Sequence, residues 1–185
     1  VDPMKVLVTG ASGFLGSALC AHLAANGNVV TGSVRNMPIK TLPGLEYKVI
    51  SDLSDDTNWG EVLTGNNAVV HCAARVHVMN EASTDPLAAF REVNVDGTAH
   101  LAEQAVDSGV KRFVYISSVK VNGETTREHP FKADDTPAPE GPYGISKWEA
   151  EKVLRKISKK TGLEVVIIRS PLVYGPGVRA NFFRL

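Results

Sequence analysis

The stretch from Lys5 to Asn26 constrains the fold more than any other. An apolar run, Val6-Leu7-Val8, enters Thr9-Gly10-Ala11-Ser12-Gly13-Phe14-Leu15-Gly16 and continues with Phe14, Leu15, Ala18, Leu19, His22 and Leu23 at helical spacing. A buried strand that turns through close glycines into a helix aims backbone N–H groups, and the positive end of the helix dipole, at an anion. Side chains at these glycines would hold a pyrophosphate off the backbone and keep the helix away from the strand. Because Gly10, Gly13 and Gly16 are evenly spaced and do not follow G-x-G-x-x-G, the loop alone is also compatible with an ordinary glycine-rich turn. The strand before it and the helix after it favour a dinucleotide cradle.

Downstream, the same alternation repeats. Apolar and β-branched runs predict strands over 28–34, 46–50, 68–74, 111–118 and 164–169. Helical periodicity predicts helices from Phe14 to the Asn26-Gly27 stop, over 55–63, from Pro86 to the Ser108-Gly109 stop, and from Tyr143 to about Lys160. Strand and helix in strict alternation argue for a parallel, doubly wound α/β sheet, a Rossmann fold over 4–185. Val1-Asp2-Pro3 before Met4 reads as a cloning remnant. The segment 124–142 is rich in proline and polar residues and has no clear period, which in a compact domain marks a functional loop.

Composition excludes several classes. The 20 Lys and Arg balance the 20 Asp and Glu, so no basic face for nucleic acid is implied. No apolar run approaches a membrane span and the N-terminus lacks a signal pattern, which reads as cytoplasmic. Cys20 and Cys72 read as buried free thiols, and the five histidines form no ligand pair, so no metal site is expected.

The second predicted strand ends in Ser33-Val34-Arg35-Asn36, where a dinucleotide fold meets the adenosine ribose. There is no acid there, and Arg35 suits a 2′-phosphate, which brings in NADP beside NAD; a solvated loop arginine is the alternative. Asp52 is placed to accept from an adenine amino group with Leu53 packed on the ring, or to cap a turn. Ala73 and Ala74 end the fourth strand, where a cofactor lying across the sheet needs small residues. Asn94, among apolar neighbours, is expected to reach a backbone or active-site partner, since an unpaired buried amide costs about 1–3 kcal/mol.

Tyr143 and Lys147 are four apart at a helix start, so they share one face. A lysine ammonium near a phenol lowers its pKa from about 10 and makes it a usable acid or base. Ser118, just past a strand's carboxyl end, is placed to hold a substrate oxygen beside them.

Thr9-Gly10-x-x-Gly13-x-x-Gly16, Ser117-Ser118, Tyr143-x-x-x-Lys147 and Arg169-x-x-x-Val173-Tyr174-Gly175-Pro176-Gly177, in this order, resemble the extended short-chain dehydrogenase/reductase family in its nucleotide-sugar epimerase/dehydratase branch. The resemblance covers nearly the whole chain. It implies a bound NAD or NADP, Tyr143 as acid/base, Lys147 on the nicotinamide ribose, and Ser118 on the reacting oxygen. It places Gly10, Ser12, Gly13, Phe14, Leu15, Gly16, Asp52, Leu53, Ala73, Ala74 and Ser170 against the cofactor, and Asn122 and Asn181 against the nucleotide-sugar substrate. It also implies that the chain ends where a smaller C-terminal substrate domain would follow, and allows a homodimer through the helices near Pro86–Ser108 and Tyr143–Lys160. The implied reaction is 4-epimerisation of a UDP-hexose, with NADPH-dependent reduction of a 4-keto sugar as the alternative. A carbonyl reductase resembling dihydroflavonol reductases and a non-catalytic dinucleotide sensor are further alternatives. Ser117-Ser118-Val119-Lys120-Val121-Asn122-Gly123 departs from the V-Y-G of galactose-type epimerases, and Val76 from their lysine; the pattern is more similar to the branch used in surface-polysaccharide synthesis. Dehydratases of this branch carry acids after the strand-five residue, where this chain has Val119-Lys120.

Overall fold

A computed structural model describes residues 2–50, 52–76, 84–126 and 128–178; Asn181 lies outside the described residues. Six strands, β1 (Lys5–Thr9), β2 (Val29–Val34), β3 (Leu45–Val49), β4 (Ala68–His71), β5 (Arg112–Ser118) and β6 (Glu164–Ser170), form one sheet in the order β3-β2-β1-β4-β5-β6. Every pairing is parallel. The strand order reverses between β1 and β4, and at such a switch point the two following connections part and leave a crevice at the strands' carboxyl ends. Thr9 and His71 face each other across that point.

Strand alternation divides the core in two. Val6 and Val8 of β1 turn to one face and pack with Val30, Val34, Ala11 and Cys20 beneath α1 (Phe14–Ala25). Leu7 turns to the other and joins Val69, Phe113 and Tyr115 under α4 (Gly97–Asp107) and α5 (Pro142–Thr161). Being covered on both faces is what a parallel sheet requires, and it explains why β1 and β4 read as unbroken apolar runs. At the sheet edge, Val166 and Ile168 of β6 are 42% and 45% exposed.

Three elements differ from the sequence reading. The strand expected over 68–74 ends at His71, so Ala73 and Ala74 lie in the chain that leaves it. The helix expected over 55–63 contracts to α2 (Gly60–Leu63). Ahead of it, Ser54 N–H donates to Thr57 Oγ1, Ser54 Oγ to Asp56 and Thr57 Oγ1 to the Asp52 carbonyl, so side chains take over the bonds a first helical turn would make. The helix from Pro86 is α3 (Pro86–Arg91), a π-helical turn over Glu92–Asp96, and then α4. In that turn the Gly97 N–H donates five residues back to the Glu92 carbonyl. Asp85 caps α3 through the Ala88 N–H, with Pro86 in its first turn.

Candidate active site

The glycine loop is built by close approaches that exclude Cβ. Gly10 stands at φ +66°, a left-handed conformation natural to glycine, and a Cβ there would lie 2.9 Å from the Ala73 nitrogen. A Cβ on Gly16 would lie 2.2 Å from the Gly10 carbonyl oxygen. Gly13 is the N-cap of α1, makes no side-chain cap bond, and is followed by no acid in the first turn. The first-turn N–H groups of the helix have no intrahelical acceptor, so this end presents donors and positive potential without a carboxylate competing for them. Ala11 N–H donates to the Ser33 carbonyl and ties the loop to β2. The donor set and the missing Cβ atoms fit a dinucleotide diphosphate. Ser12 and Phe14 are exposed on this loop and Leu15 is half-buried.

Beneath the loop runs a buried polar relay. Ala73 N–H donates to Thr9 Oγ1 (3.1 Å), which lies 2.7 Å from His71 Nδ1, while His71 Nε2 lies 3.0 Å from Thr98 Oγ1. The His71 ring thus bridges the Thr9 and Thr98 hydroxyls through its two nitrogens. Burial, reinforced by the nearby Lys147 charge, lowers the His71 pKa to about 3, so the ring is neutral. The relay fixes Ala73 beside Gly10. Nothing in the sequence flagged His71 beyond a histidine at the end of an apolar strand.

Asn94, within the π-helical turn, is buried and fully engaged. Its Oδ1 accepts from the Arg75 N–H (2.8 Å), and its Nδ2 donates to the Arg75 carbonyl (3.0 Å) and to Ser146 Oγ (3.0 Å). Ser146 in turn donates to the Tyr143 carbonyl. The chain leaving β4 is thereby locked to the first turn of α5, as the sequence led one to expect of a buried amide.

Tyr143 opens α5 with its ring edge-on to Phe90, centroids 6.1 Å apart. Burial raises its phenol, and the Ser118 hydroxyl, through a hydrogen bond, draws it back down. The lowering expected from Lys147 has no share in this shift. Lys147 is buried with Nζ 4.2 Å from the Tyr115 ring centroid, and burial lowers it to about 7. Ser118 ends β5 and accepts from the Lys120 N–H, and Ser170 Oγ donates to the Ser117 carbonyl. Ser118, Tyr143, Ser170, Ala73 and Ala74 thus stand at the carboxyl ends of β4, β5 and β6 or at the head of α5.

Arg35, Asp52, Leu53 and Asn122 carry the remaining expected contacts. Arg35 is exposed just past β2. Asp52 accepts from the adjacent Leu53 N–H, while Leu53 is buried against Gly97, where a Cβ would lie 2.8 Å from the Leu53 carbonyl oxygen. Asn122, expected against substrate, is buried, with Oδ1 accepting from Arg169 (3.3 Å) and Nδ2 donating to the Lys132 carbonyl (3.0 Å). Both ends of its amide are taken up within the fold, which makes it part of the wall. A cavity of about 590 Å³ lined by Asn122, Lys132, Arg155, Val165, Ile167 and Arg169 lies on the β6 side of α5, apart from Ser118 and Tyr143. No cluster suited to a metal ion is found among the described residues, and no helix among them is long and apolar enough to cross a membrane.

The buried bases give stability a definite pH dependence. A Lys147 near 7 when folded and 10.5 when unfolded means that the unfolded chain binds more protons between those values, so stability rises with pH there. His71, near 3 folded and 6.5 unfolded, likewise loses stability as pH falls from 6.5. Cys20 and Cys72, raised to about 11 and 12, act oppositely above pH 9. The melting temperature of the unliganded protein is therefore expected to rise between pH 7 and 9, and Lys147→Met to flatten that rise. A wild-type curve that falls over this interval would contradict the buried, near-neutral Lys147.

The six-stranded parallel sheet and the Cβ-free helix entry at its switch point define a Rossmann-like α/β protein of the short-chain dehydrogenase/reductase type. The chain belongs to the NAD-dependent epimerase/dehydratase family, whose profile matches residues 6–184. It is 47% identical over 184 residues to a UDP-glucose 4-epimerase of Vibrio cholerae, covering 99% of this chain and 56% of that protein. It is 31% identical over 183 residues to the N-acetyl-alpha-D-glucosaminyl-diphospho-ditrans,octacis-undecaprenol 4-epimerase of Escherichia coli O157:H7, covering 98% of this chain and 52% of that one. The chain thus spans about half the length of these relatives. Among solved structures, MoeE5 in complex with UDP-glucuronic acid and NAD superposes with a TM-score of 0.83 at 32% identity, over 97% of this chain and 58% of that one. UDP-glucuronic acid 4-epimerase from Bacillus cereus in complex with NAD gives 0.82 at 27% identity, over 98% and 61%.

Proposed function

We propose that the protein is an NAD-dependent nucleotide-sugar 4-epimerase acting on a UDP-hexose, with Ser118, Tyr143 and Lys147 as its reacting set. The observation that carries this reading is the joint placement of the Cβ-free cradle and the Ser118–Tyr143 pair at one end of the sheet. The 47% identity to a UDP-glucose 4-epimerase and the NAD named in the related structures support it. The Gly10–Gly16 loop would hold a nicotinamide dinucleotide through its diphosphate, with Ala73, Ala74 and Ser170 beside it, and the cofactor would supply the acceptor and donor of the C4 hydride.

The rest is the work of the chain's own groups. Tyr143 Oη takes the proton of the sugar 4-hydroxyl and returns it to the same oxygen after the 4-keto sugar has presented its other face. Ser118 hydrogen-bonds that oxygen and keeps it within reach of the phenol. Lys147 supplies the charge that favours phenolate when its ammonium is protonated, and Phe90 confines the phenol ring from one side. Conversion of UDP-glucose, UDP-N-acetylglucosamine or UDP-glucuronic acid to the 4-epimer, followed by chromatography of the nucleotide sugars, tests the reading. Absence of conversion of all three by the intact protein would overturn it.

Arg35 favours a second reading, the NADPH-dependent 4-keto-sugar reductase, because the β2 tip carries a cation and no acid. Fluorescence titration separates the two. Tighter binding of NADH than NADPH, unchanged in Arg35→Ala, is expected of the epimerase. A preference for NADPH of about tenfold or more that vanishes in Arg35→Ala would favour the reductase.

A further inference from the structure

Glu151 lies one helical turn beyond Lys147 and is fully buried. Its Oε1 accepts from Ser117 Oγ at 2.7 Å and from Arg169 Nε at 2.9 Å, and its Oε2 accepts from Arg169 Nη2 at 2.8 Å. Arg169 is itself 11% exposed and has Trp148 beside its guanidinium, 5.7 Å from the ring centroid. Its remaining arm, Nη1, donates to Asn122, which holds the Lys132 carbonyl. One carboxylate in α5 therefore grips β5, β6 and the chain leaving β5. Each gripped residue adjoins a member of the site: Ser117 precedes Ser118, and Arg169 precedes Ser170.

An apolar pair of similar volume fills such a position at no loss of stability in many proteins, so a buried ion pair is weak as a stabilising device. What it adds is direction. A two-pronged guanidinium–carboxylate contact with a hydroxyl on the same oxygen fixes orientation as well as distance.

Resting on the epimerase reading, we propose that Glu151, through Arg169 and Ser117, is the positioning residue of the site, holding the carboxyl ends of β5 and β6 against α5 so that Ser118 and Ser170 stand at a set distance from Tyr143. It touches none of the reacting atoms and acts through its neighbours.

Three variants of the intact protein test this. Ser117→Ala cuts the link to β5 while keeping the ion pair; kcat is expected to fall about tenfold, with the NADH Kd within twofold of wild type. Glu151→Gln breaks the fork, and a fall of about 100-fold is expected, the loss typical of a misplacement near 1 Å. The double variant Glu151→Met with Arg169→Met replaces the pair by apolar bulk but leaves Ser117 Oγ and Asn122 Oδ1 without these partners, so its melting temperature is expected to fall less than that of Glu151→Gln, which strands a buried charge, while kcat stays low. Amide exchange over residues 118–122 is expected to quicken in Ser117→Ala while α5 stays protected, a readout independent of turnover. Wild-type kcat in Ser117→Ala, or recovery of kcat together with melting temperature in the double variant, would overturn the proposal. An inactive wild type would instead count against the epimerase reading, leaving exchange to decide the positioning role.

Discussion

Tyr143→Phe is expected to lower turnover of a nucleotide sugar by about 10³-fold, within the 10²–10⁴ range that positioned acid–base groups supply. Removing the hydroxyl deletes the only group in the set that both sits beside Ser118 and exchanges a proton. The ring, with its edge against Phe90, stays in place. NADH affinity is therefore expected within about twofold of wild type, and the fold is expected to be unaltered because the partner Tyr143 Oη would lose, Ser118, is half-buried at the end of β5 and outside the core. Steady-state rates and a fluorescence titration on the same preparation check both halves. Turnover within tenfold of wild type would remove Tyr143 from its role.

Gly16→Ala is expected to act at the other end of the crevice and through backbone alone. The added Cβ would meet the Gly10 carbonyl oxygen at 2.2 Å and the Gly10 carbonyl carbon at 2.9 Å, and neither can swing aside as a side chain can. Either α1 moves off β1 or the Gly10 turn opens. Overpacking of this kind costs about 1–3 kcal/mol, and the displaced helix start no longer aims its N–H groups where Ala73 and the loop converge. A fall in melting temperature together with a loss of NADH binding of about 100-fold is expected. Gly27→Ala is the contrast: its Cβ meets nothing within 4 Å, and only its φ of +79° is strained. That variant is expected to lose a little stability and no affinity. Equal losses of affinity in the two would contradict the cradle.

Much of this architecture was legible because parallel strands buried on both faces must be apolar throughout, and Val6-Leu7-Val8 and Ala68-Val69-Val70 announce themselves. That the sheet is parallel and doubly wound followed from alternation; its strand order appears only in the fold. Where the reading departed, competition between local bonds decided: Ser54, Asp56 and Thr57 satisfy the backbone ahead of Gly60 with their own side chains, and no periodicity reports that. Of the site, the glycines and Tyr143-x-x-x-Lys147 were visible because their function depends on spacing along the chain. Glu151 was half visible. With Lys147, Ala150 and Leu154 it shares a face that packs into the core, and two charges on such a face imply hidden partners. Those partners, Ser117 and Arg169, come from two strands, and their register appears only in three dimensions. The resemblance placed Asn122 with the substrate; in the fold its amide bonds Arg169 and the Lys132 carbonyl.

The π-helical turn bears on how chains of this design tolerate insertion and deletion. It amounts to one residue more than an α-helix would use between Arg91 and Gly97. Because the extra residue is absorbed within a single turn, deleting one residue there would restore regular winding while α3 and α4 keep their phase. Arg91 would then keep Glu149, which it grips with two bonds of 2.8 and 2.7 Å, whereas Asn94, inside the turn, would lose its place against Arg75. A change of one residue in length is therefore expected to be absorbed at this turn at the cost of the Asn94 contacts, whereas the same change in α3 or α4 would rotate one helix by about 100° against the other.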